Sequence, residues 1–304
     1  MSARYAAALA ALRERAEETG YIDLHAERFG ELFEAVHTYT KGRGRLLDVG
    51  TSPFTALYRE LFPDLSLATL DRPTAMGGMS AAKAKRICGS TRHANADLNR
   101  EPVPNSLGTF DMIVFCEIIE HLVVNPEQLL GELIGRLAPE GVLYLTTPNV
   151  FGYHKLMQVR HKANPQAVMF RRGEDGDAAY HFREYALNEL VADVDRAGGR
   201  TVVAGYSDCW ERDPAIRAAL APYPYLHGNI VMVAKRAESR DLPTQIEFPM
   251  VGAFDPLVDD ITDIGARDRT VAERDRLRGE VERYETGPWA WLIRRLAARP
   301  PRRD

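Results

Sequence analysis

The stretch Arg45-Leu46-Leu47-Asp48-Val49-Gly50, running into Thr51-Ser52-Pro53-Phe54-Thr55, constrains the fold of this chain more than any other. A short apolar run without polar alternation reads as a strand buried on both faces, which is the situation in parallel sheets covered by helices. Gly50 permits a sharp turn, and the backbone amides of the helix that follows can approach a polar or anionic ligand group closely. A dinucleotide-binding loop needs two further glycines so that a pyrophosphate can rest on the helix. Ser52 and Phe54 stand at those positions, so a pyrophosphate is disfavoured and a cofactor with only an amino-acid head is preferred.

The rest of the chain supplies units that fit such a sheet. Tyr5, Leu9, Leu12 and Ala16 fall on one face of a helix over 2–19, and Phe29, Leu32, Phe33 and Val36 on one face of a second over 24–40. After the first strand, a short helix (Thr55 to Phe62) stops at Pro63, and Leu65 to Leu70 forms a second strand closed by Asp71. Asp97 ends a third unit, and Phe110 to Cys116 is a further strand, followed by a helical turn from Glu117 to Leu122. Asn125-Pro126-Glu127-Gln128 opens a helix with the stripe Leu130, Leu133, Ile134, Leu137, which Pro139-Glu140-Gly141 ends. Val142 to Thr147 is again a buried strand, Pro148 to Tyr180 reads as a long loop, and Leu187 to Val194 as a helix stopped at Gly198-Gly199. Strands at Thr201–Ala204 and Asn229–Ala234 flank a Pro- and Tyr-rich connector over 214–227. Alternating strands and amphipathic helices predict a doubly wound α/β sheet.

Three acids at successive strand ends are the chemical signal. Asp71 is placed to accept both hydroxyls of a ribose, and Asp97 to accept an adenine amino group while the Leu98 amide meets a ring nitrogen. Each alone reads as a cap or turn residue. Together they outline a nucleoside site outside the carboxyl ends of the strands.

Leu46 to Gly50, Leu70-Asp71, Asp97-Leu98, Phe110-Asp111 through Glu117-Ile118-Ile119-Glu120-His121-Leu122, and Leu137-Ala138-Pro139-Glu140-Gly141 through Thr147-Pro148-Asn149 resemble class I S-adenosylmethionine-dependent methyltransferases. The small-molecule, ubiquinone-biosynthesis-like branch is the nearest likeness. The resemblance spans roughly 43–236 and implies a Rossmann-like seven-stranded sheet whose last strand runs antiparallel. It implies S-adenosyl-L-methionine as cofactor, in a pocket formed by Asp48, Gly50, Asp71, Asp97, Leu98 and Cys116. Thr51 and Ser52 join that set through their hydroxyls, offsetting the side chains at Ser52, Pro53 and Phe54 that crowd the place of the methionine moiety. The expected organisation is an N-terminal helical cap (1–42), the methyltransferase domain (43–236) and a linker with a helical tail (237–304).

Methyl transfer is an in-line displacement, so the protein has to align two atoms and exclude water. An acceptor that sheds a proton also needs a base. His121 has the best position for one, with Glu117 and Glu120 to orient it, and His154 and His181 lie in or beside the covering loop. The pattern carries no H-x-H, H-E-x-x-H or Asp/Asn-rich loop, so no metal is expected.

A net charge of −4 gives no general attraction to nucleic acid. Cys88, Cys116 and Cys209 are too scattered for a disulfide framework or zinc site, which points to a reducing cytoplasm. No signal peptide or membrane span is expected. Basic charge gathers at the end of the chain. Arg267–Arg283 is a charge-dense helix, and 287–304 puts Trp289, Leu292, Ile293 and Leu296 on one face ringed by arginines. That last helix suits a peripheral membrane surface, a partner protein, its own core or the mate of a homodimer. Its Trp-Leu-Ile-Arg-Arg-Leu pattern is similar to tails of bacterial cell-surface polysaccharide enzymes. The reading is a cytoplasmic methyltransferase acting on a small molecule or glycan, with oxygen the favoured acceptor atom and polysaccharide biosynthesis the associated role. A catalytically silent scaffold of the same fold and a Rossmann oxidoreductase are the alternatives.

Overall fold

In the computed structural model, which describes residues 3–16, 19–165 and 181–238, the opening run is an inner strand of a seven-stranded sheet. The strands are β1 (Arg43–Val49), β2 (Asp64–Asp71), β3 (Arg92–Asn95), β4 (Phe110–Cys116), β5 (Leu137–Pro148), β6 (Gly199–Ser207) and β7 (Asn229–Arg236). Their order is β3-β2-β1-β4-β5-β7-β6, with β7 antiparallel to both of its neighbours and the other pairs parallel. This is the Rossmann-like methyltransferase sheet that the sequence predicts.

Adjacent residues of β1 explain why the run has no polar alternation. Side chains alternate across a strand, and here both faces are covered. Leu47 and Val49 join the core under α5 (Pro126–Ile134) and α7 (Leu187–Arg196), where Leu130, Leu133, Leu190 and Val194 are fully buried. Leu46 faces the opposite core, built from α1 (Ala3–Arg15), α2 (Gly20–Thr40) and α3 (Leu57–Leu61). The predicted faces hold: Tyr5, Leu9, Leu12, Phe29, Leu32, Phe33 and Val36 are all buried there. A further helix, α4 (Ala81–Cys88), leads into β3.

Three expectations need correction. Leu137 belongs to β5, not to the helical stripe, because α5 stops at Ile134 and Phe110 pairs with Leu137 while Met112 pairs with Val142. Ala138 to Gly141 are thus an irregularity inside the strand, and Gly141 is required there, since an added Cβ would lie 2.6 Å from the Phe110 carbonyl. The region after Pro148 contains a helix, α6 (Tyr153–Arg160); Tyr153 is its one buried residue, so it leaves no apolar period in the sequence. The 214–227 connector contains α8 (Pro214–Leu220), capped by the Asp213 carboxylate, which accepts from the Ala215 and Ile216 amides. Asp213-Pro214 is a helix-start signal that the sequence reading missed.

The expected tail, including Arg267–Arg283 and 287–304, and most of the covering segment before His181 lie outside the described residues.

Candidate active site

The carboxyl ends of β1, β2 and β4 open into one cavity of about 1400 Å³. At its floor the chain leaves β1 through Gly50, whose φ of +79° lies in the left-handed region and whose amide donates to the Leu70 carbonyl at 2.8 Å. A Cβ there would come within 2.5 Å of Ile118 Cδ1, so the glycine both permits the left-handed turn and lets Ile118 pack against the loop.

Asp48 is buried and acts as the pillar of the loop. Its Oδ2 accepts from Thr55 Oγ1 at 2.7 Å, and the same Thr55 hydroxyl accepts from the Ser52 amide at 2.9 Å. Burial raises the Asp48 carboxyl to about 7, with Asp71 adding to the rise and the Thr55 hydrogen bond opposing it. Ser52 caps the short turn over Pro53–Ala56 by accepting from the Phe54 amide. Phe54 does not crowd the cavity, contrary to the expectation. It is fully buried and stacks on Phe29 with centroids 3.9 Å apart and planes at 8°. A large ring at the third loop position therefore anchors the loop to α2 and leaves the ligand space clear.

Asp71 and Asp97 lie on the same cavity wall, with Leu98 beside them. Asp71 accepts from the Arg72 amide at 2.8 Å, the Met79 amide at 2.9 Å and the Thr51 hydroxyl. An ionised carboxylate has about four lone-pair directions, so it retains capacity for a ribose hydroxyl. Thr51 spends its hydroxyl on Asp71. Asp97 orders its own turn, accepting from the Asn99 amide at 3.1 Å and facing Arg100 Nε at 3.5 Å.

The end of β4 brings Cys116, Glu117, Glu120 and His121 to the cavity. Burial pushes the Cys116 thiol up to about 12, so it is a lining group and not a nucleophile. Glu117 adopts φ +54°, a strained conformation for a side-chain-bearing residue. Its Oε1 accepts from Thr146 Oγ1 at 2.7 Å and, with the Asn229 amide oriented to satisfy its neighbours, from Asn229 at 3.2 Å. Glu120 is fully buried. Its Oε2 accepts from Thr147 Oγ1 at 2.9 Å, while its Oε1 has no hydrogen-bond partner and lies 3.8 Å from His121 Nε2. Burial first, and then the charge of Glu117, raises the Glu120 carboxyl well above the ordinary range. His181 stands beside His121, with ring centroids 4.9 Å apart. His154, the third histidine singled out from the sequence, sits on the rim, largely exposed, with Nε2 2.9 Å from Glu211.

The sequence reading missed the wall contributed by α2. Tyr21, His25 and Arg28 face the cavity from it. Arg28 is 5% exposed, has an unpartnered Nε, and reaches His25 Nδ1 at 3.3 Å; its guanidinium lies over Phe29 and Trp210. Burial is the largest single influence and works against its charge, but Glu117, Cys116, Tyr21 and Cys209 together outweigh it and raise the pKa. A helical period marks Arg28 merely as a polar residue beside the apolar face, so no local signal announces its role. Glu27 fastens α2 to α8 through Arg217 at 3.0 Å, and Glu31 ties it to the end of β6 by accepting from the Ser207 hydroxyl at 2.7 Å.

These groups fit S-adenosylmethionine: a tight glycine turn at Gly50, acids at Asp48, Asp71 and Asp97, and a buried cation with spare donor capacity at Arg28. Among the described residues no helix is long and apolar enough to cross a membrane.

Comparisons bear on the same residues. A family model described as a methyltransferase domain matches residues 22–198, more than half of the chain, and takes in α2 from Ile22 onward. No curated protein matches the chain. Among solved structures, the N-methyltransferase NodS from Bradyrhizobium japonicum WM9, in complex with S-adenosyl-L-homocysteine, is similar at 14% identity over 77% of this chain and 100% of that one, with a TM-score of 0.45. A S-adenosylmethionine-dependent methyltransferase from Clostridium acetobutylicum ATCC 824 is similar at 14% identity over 74% and 94%, with a TM-score of 0.43. The O-methyltransferase NcsB1 from neocarzinostatin biosynthesis is similar at 14% identity over 71% and 55%, with a TM-score of 0.44. The family match, falling on the residues that build the cavity, settles the class: this chain belongs to the methyltransferase domain family and is an S-adenosylmethionine-dependent methyltransferase.

Proposed function

We propose that this enzyme methylates a hydroxyl oxygen of a small molecule, saccharides included. The observation that carries the reading is the array of Glu117, Glu120, His121 and His181 on the cavity wall beyond the Gly50 floor. A hydroxyl becomes a competent nucleophile only as its proton leaves, and a wall of carboxylate and imidazole groups supports that requirement. The bound cofactor supplies a methyl group on a positively charged sulfur.

The chain's own residues divide the remaining work. Asp71 takes the ribose hydroxyls, Asp97 and the Leu98 amide the adenine edge, and Arg28 with Tyr21 the amino-acid carboxylate. Asp48 and Ser52 hold the loop in shape through Thr55 and the Phe54 amide. Cys116 and Ile118 are apolar lining, and His154 with Glu211 belongs to the acceptor's entrance. A peripheral-membrane or protein-docking role for 287–304, homodimerisation, a cytoplasmic location and a place in polysaccharide biosynthesis belong to this reading on sequence grounds alone.

Calorimetry with S-adenosylhomocysteine tests the cofactor assignment: Asp71→Ala is expected to abolish binding, and equal affinity in the variant refutes it. Release of S-adenosylhomocysteine from matched hydroxyl and amine acceptors tests the atom. Turnover of amines without turnover of hydroxyls overturns the choice of oxygen.

A further inference from the structure

Glu120, His121 and His181 each offer one ligand atom, and these three atoms lie within 4.8 Å of one another. Two imidazoles and one carboxylate on one side of an open space are the donor set that divalent first-row transition metals prefer, whereas Mg²⁺ and Ca²⁺ favour oxygen sets. Metal–ligand bonds of about 2.1 Å bring tetrahedral ligands to about 3.4 Å apart. The histidine side chains keep 35% and 24% of their exposure, so small rotations close the difference.

Independent observations mark the cluster as more than proximity. Glu120 is fully buried, and its Oε1 is a carboxylate oxygen with no hydrogen-bond donor, turned toward His121. A buried carboxyl with an unspent oxygen is costly and is relieved either by a proton or by a cation. His181 donates through Nδ1 to Glu184 Oε1 at 2.8 Å, which leaves Nε2 for a ligand, and Lys155 Nζ holds the same oxygen at 2.7 Å. A carboxylate behind an imidazole is the outer-shell arrangement of metal-binding histidines. The backbone fixes the register as well: the Phe182 and Arg183 amides both donate to the Glu120 carbonyl, at 2.7 and 3.3 Å.

We propose that Glu120, His121 and His181 bind one divalent transition-metal ion, in the range from Mn²⁺ to Zn²⁺, whose open positions face the cavity and take an oxygen of the acceptor. The site replaces the metal-free expectation drawn from sequence and makes His121 a ligand instead of a base. The acceptor's part in this rests on the O-methylation reading. Coordination lowers the hydroxyl pKa so that its proton passes to solvent. The C–O bond then forms as the C–S bond breaks, and sulfur keeps the electron pair.

The test uses untagged full-length protein stripped with chelator and titrated with Co²⁺ alone, followed by visible d–d absorption and by metal content after dialysis. A single bound Co²⁺ is expected. His181→Ala and Glu184→Gln should each weaken it by about tenfold or more, while His37→Ala, on the exposed end of α2, should not. S-adenosylhomocysteine calorimetry on the same samples shows that the variants are folded. Failure of the wild-type protein to bind Co²⁺ at about 1 mM, or equal binding by wild type and His181→Ala, overturns the site. Metal binding with turnover of amines and not of hydroxyls keeps the site and removes the O-methylation reading, and hydroxyl turnover without metal binding does the reverse.

Discussion

Arg28→Met separates the assignment of the α2 wall from its structural role. Methionine keeps an apolar stem of similar length and deletes the guanidinium, which lies over Phe29 and Trp210. Arg28 is 5% exposed and its Nε is unpartnered, so a carboxylate bound there is desolvated and little screened. Hydrogen bonds to a charged partner contribute about 1.5–3 kcal/mol, which corresponds to about 10- to 150-fold in affinity. The assay is calorimetry with two ligands. S-adenosylhomocysteine carries the amino-acid group, and 5′-methylthioadenosine keeps the nucleoside and thioether without it. Arg28→Met should weaken the first by that factor and leave the second within about twofold. Equal loss for both ligands would mean that Arg28 shapes the pocket without touching the amino-acid head, and no loss for either would remove it from the site.

Further outcomes follow from the floor. Asp48 has a folded-state pKa of about 7, above its unfolded value, so the folded chain holds a proton that the unfolded chain has released. Its contribution to stability is fully present below about pH 4 and is lost as pH rises through about 7. Asp48→Asn should therefore gain on the wild type in urea unfolding at about pH 8 and lose that advantage by about pH 4; a constant difference would contradict the burial argument. Phe54→Ala removes a fully buried ring stacked on Phe29 and should cost about 3–5 kcal/mol, with a loss under about 1 kcal/mol in urea unfolding showing that the ring is no anchor. Gly50→Ala should cost about 1–2 kcal/mol from backbone strain, and pairing it with Ile118→Ala should relieve the contact at 2.5 Å but not that strain; full recovery in the same assay would place the whole penalty in the contact.

Several elements are legible because their cause is local. The unbroken apolar run of β1 announces a strand covered on both faces, and the Asn125-Pro126 start of α5 announces a helix whose Asn125 side chain accepts from the Glu127 amide at 3.0 Å. The acids at strand ends are legible for a related reason: a parallel sheet puts the carboxyl ends of its crossover-linked strands on one edge, so Asp48 and Asp71 share a wall before any side chain is known. Local rules fail where the decisive partner is distant. The Pro139–Gly141 turn looks like a helix stop, and pairing with Phe110 and Met112 makes it part of β5. α6 has one buried residue and so no period to detect.

By itself, the sequence determined the sheet, its crossovers and the acids at the strand ends, because hydrophobic period and turn chemistry act over a few residues. The direction of the ring at Phe54, the approach of Arg28 from the N-terminal helix and the meeting of His181 with Glu120 and His121 were decided only by tertiary structure. Each depends on contacts between segments about 25 to 60 residues apart or more, where loop closure and packing, not local preference, fix which side chains meet.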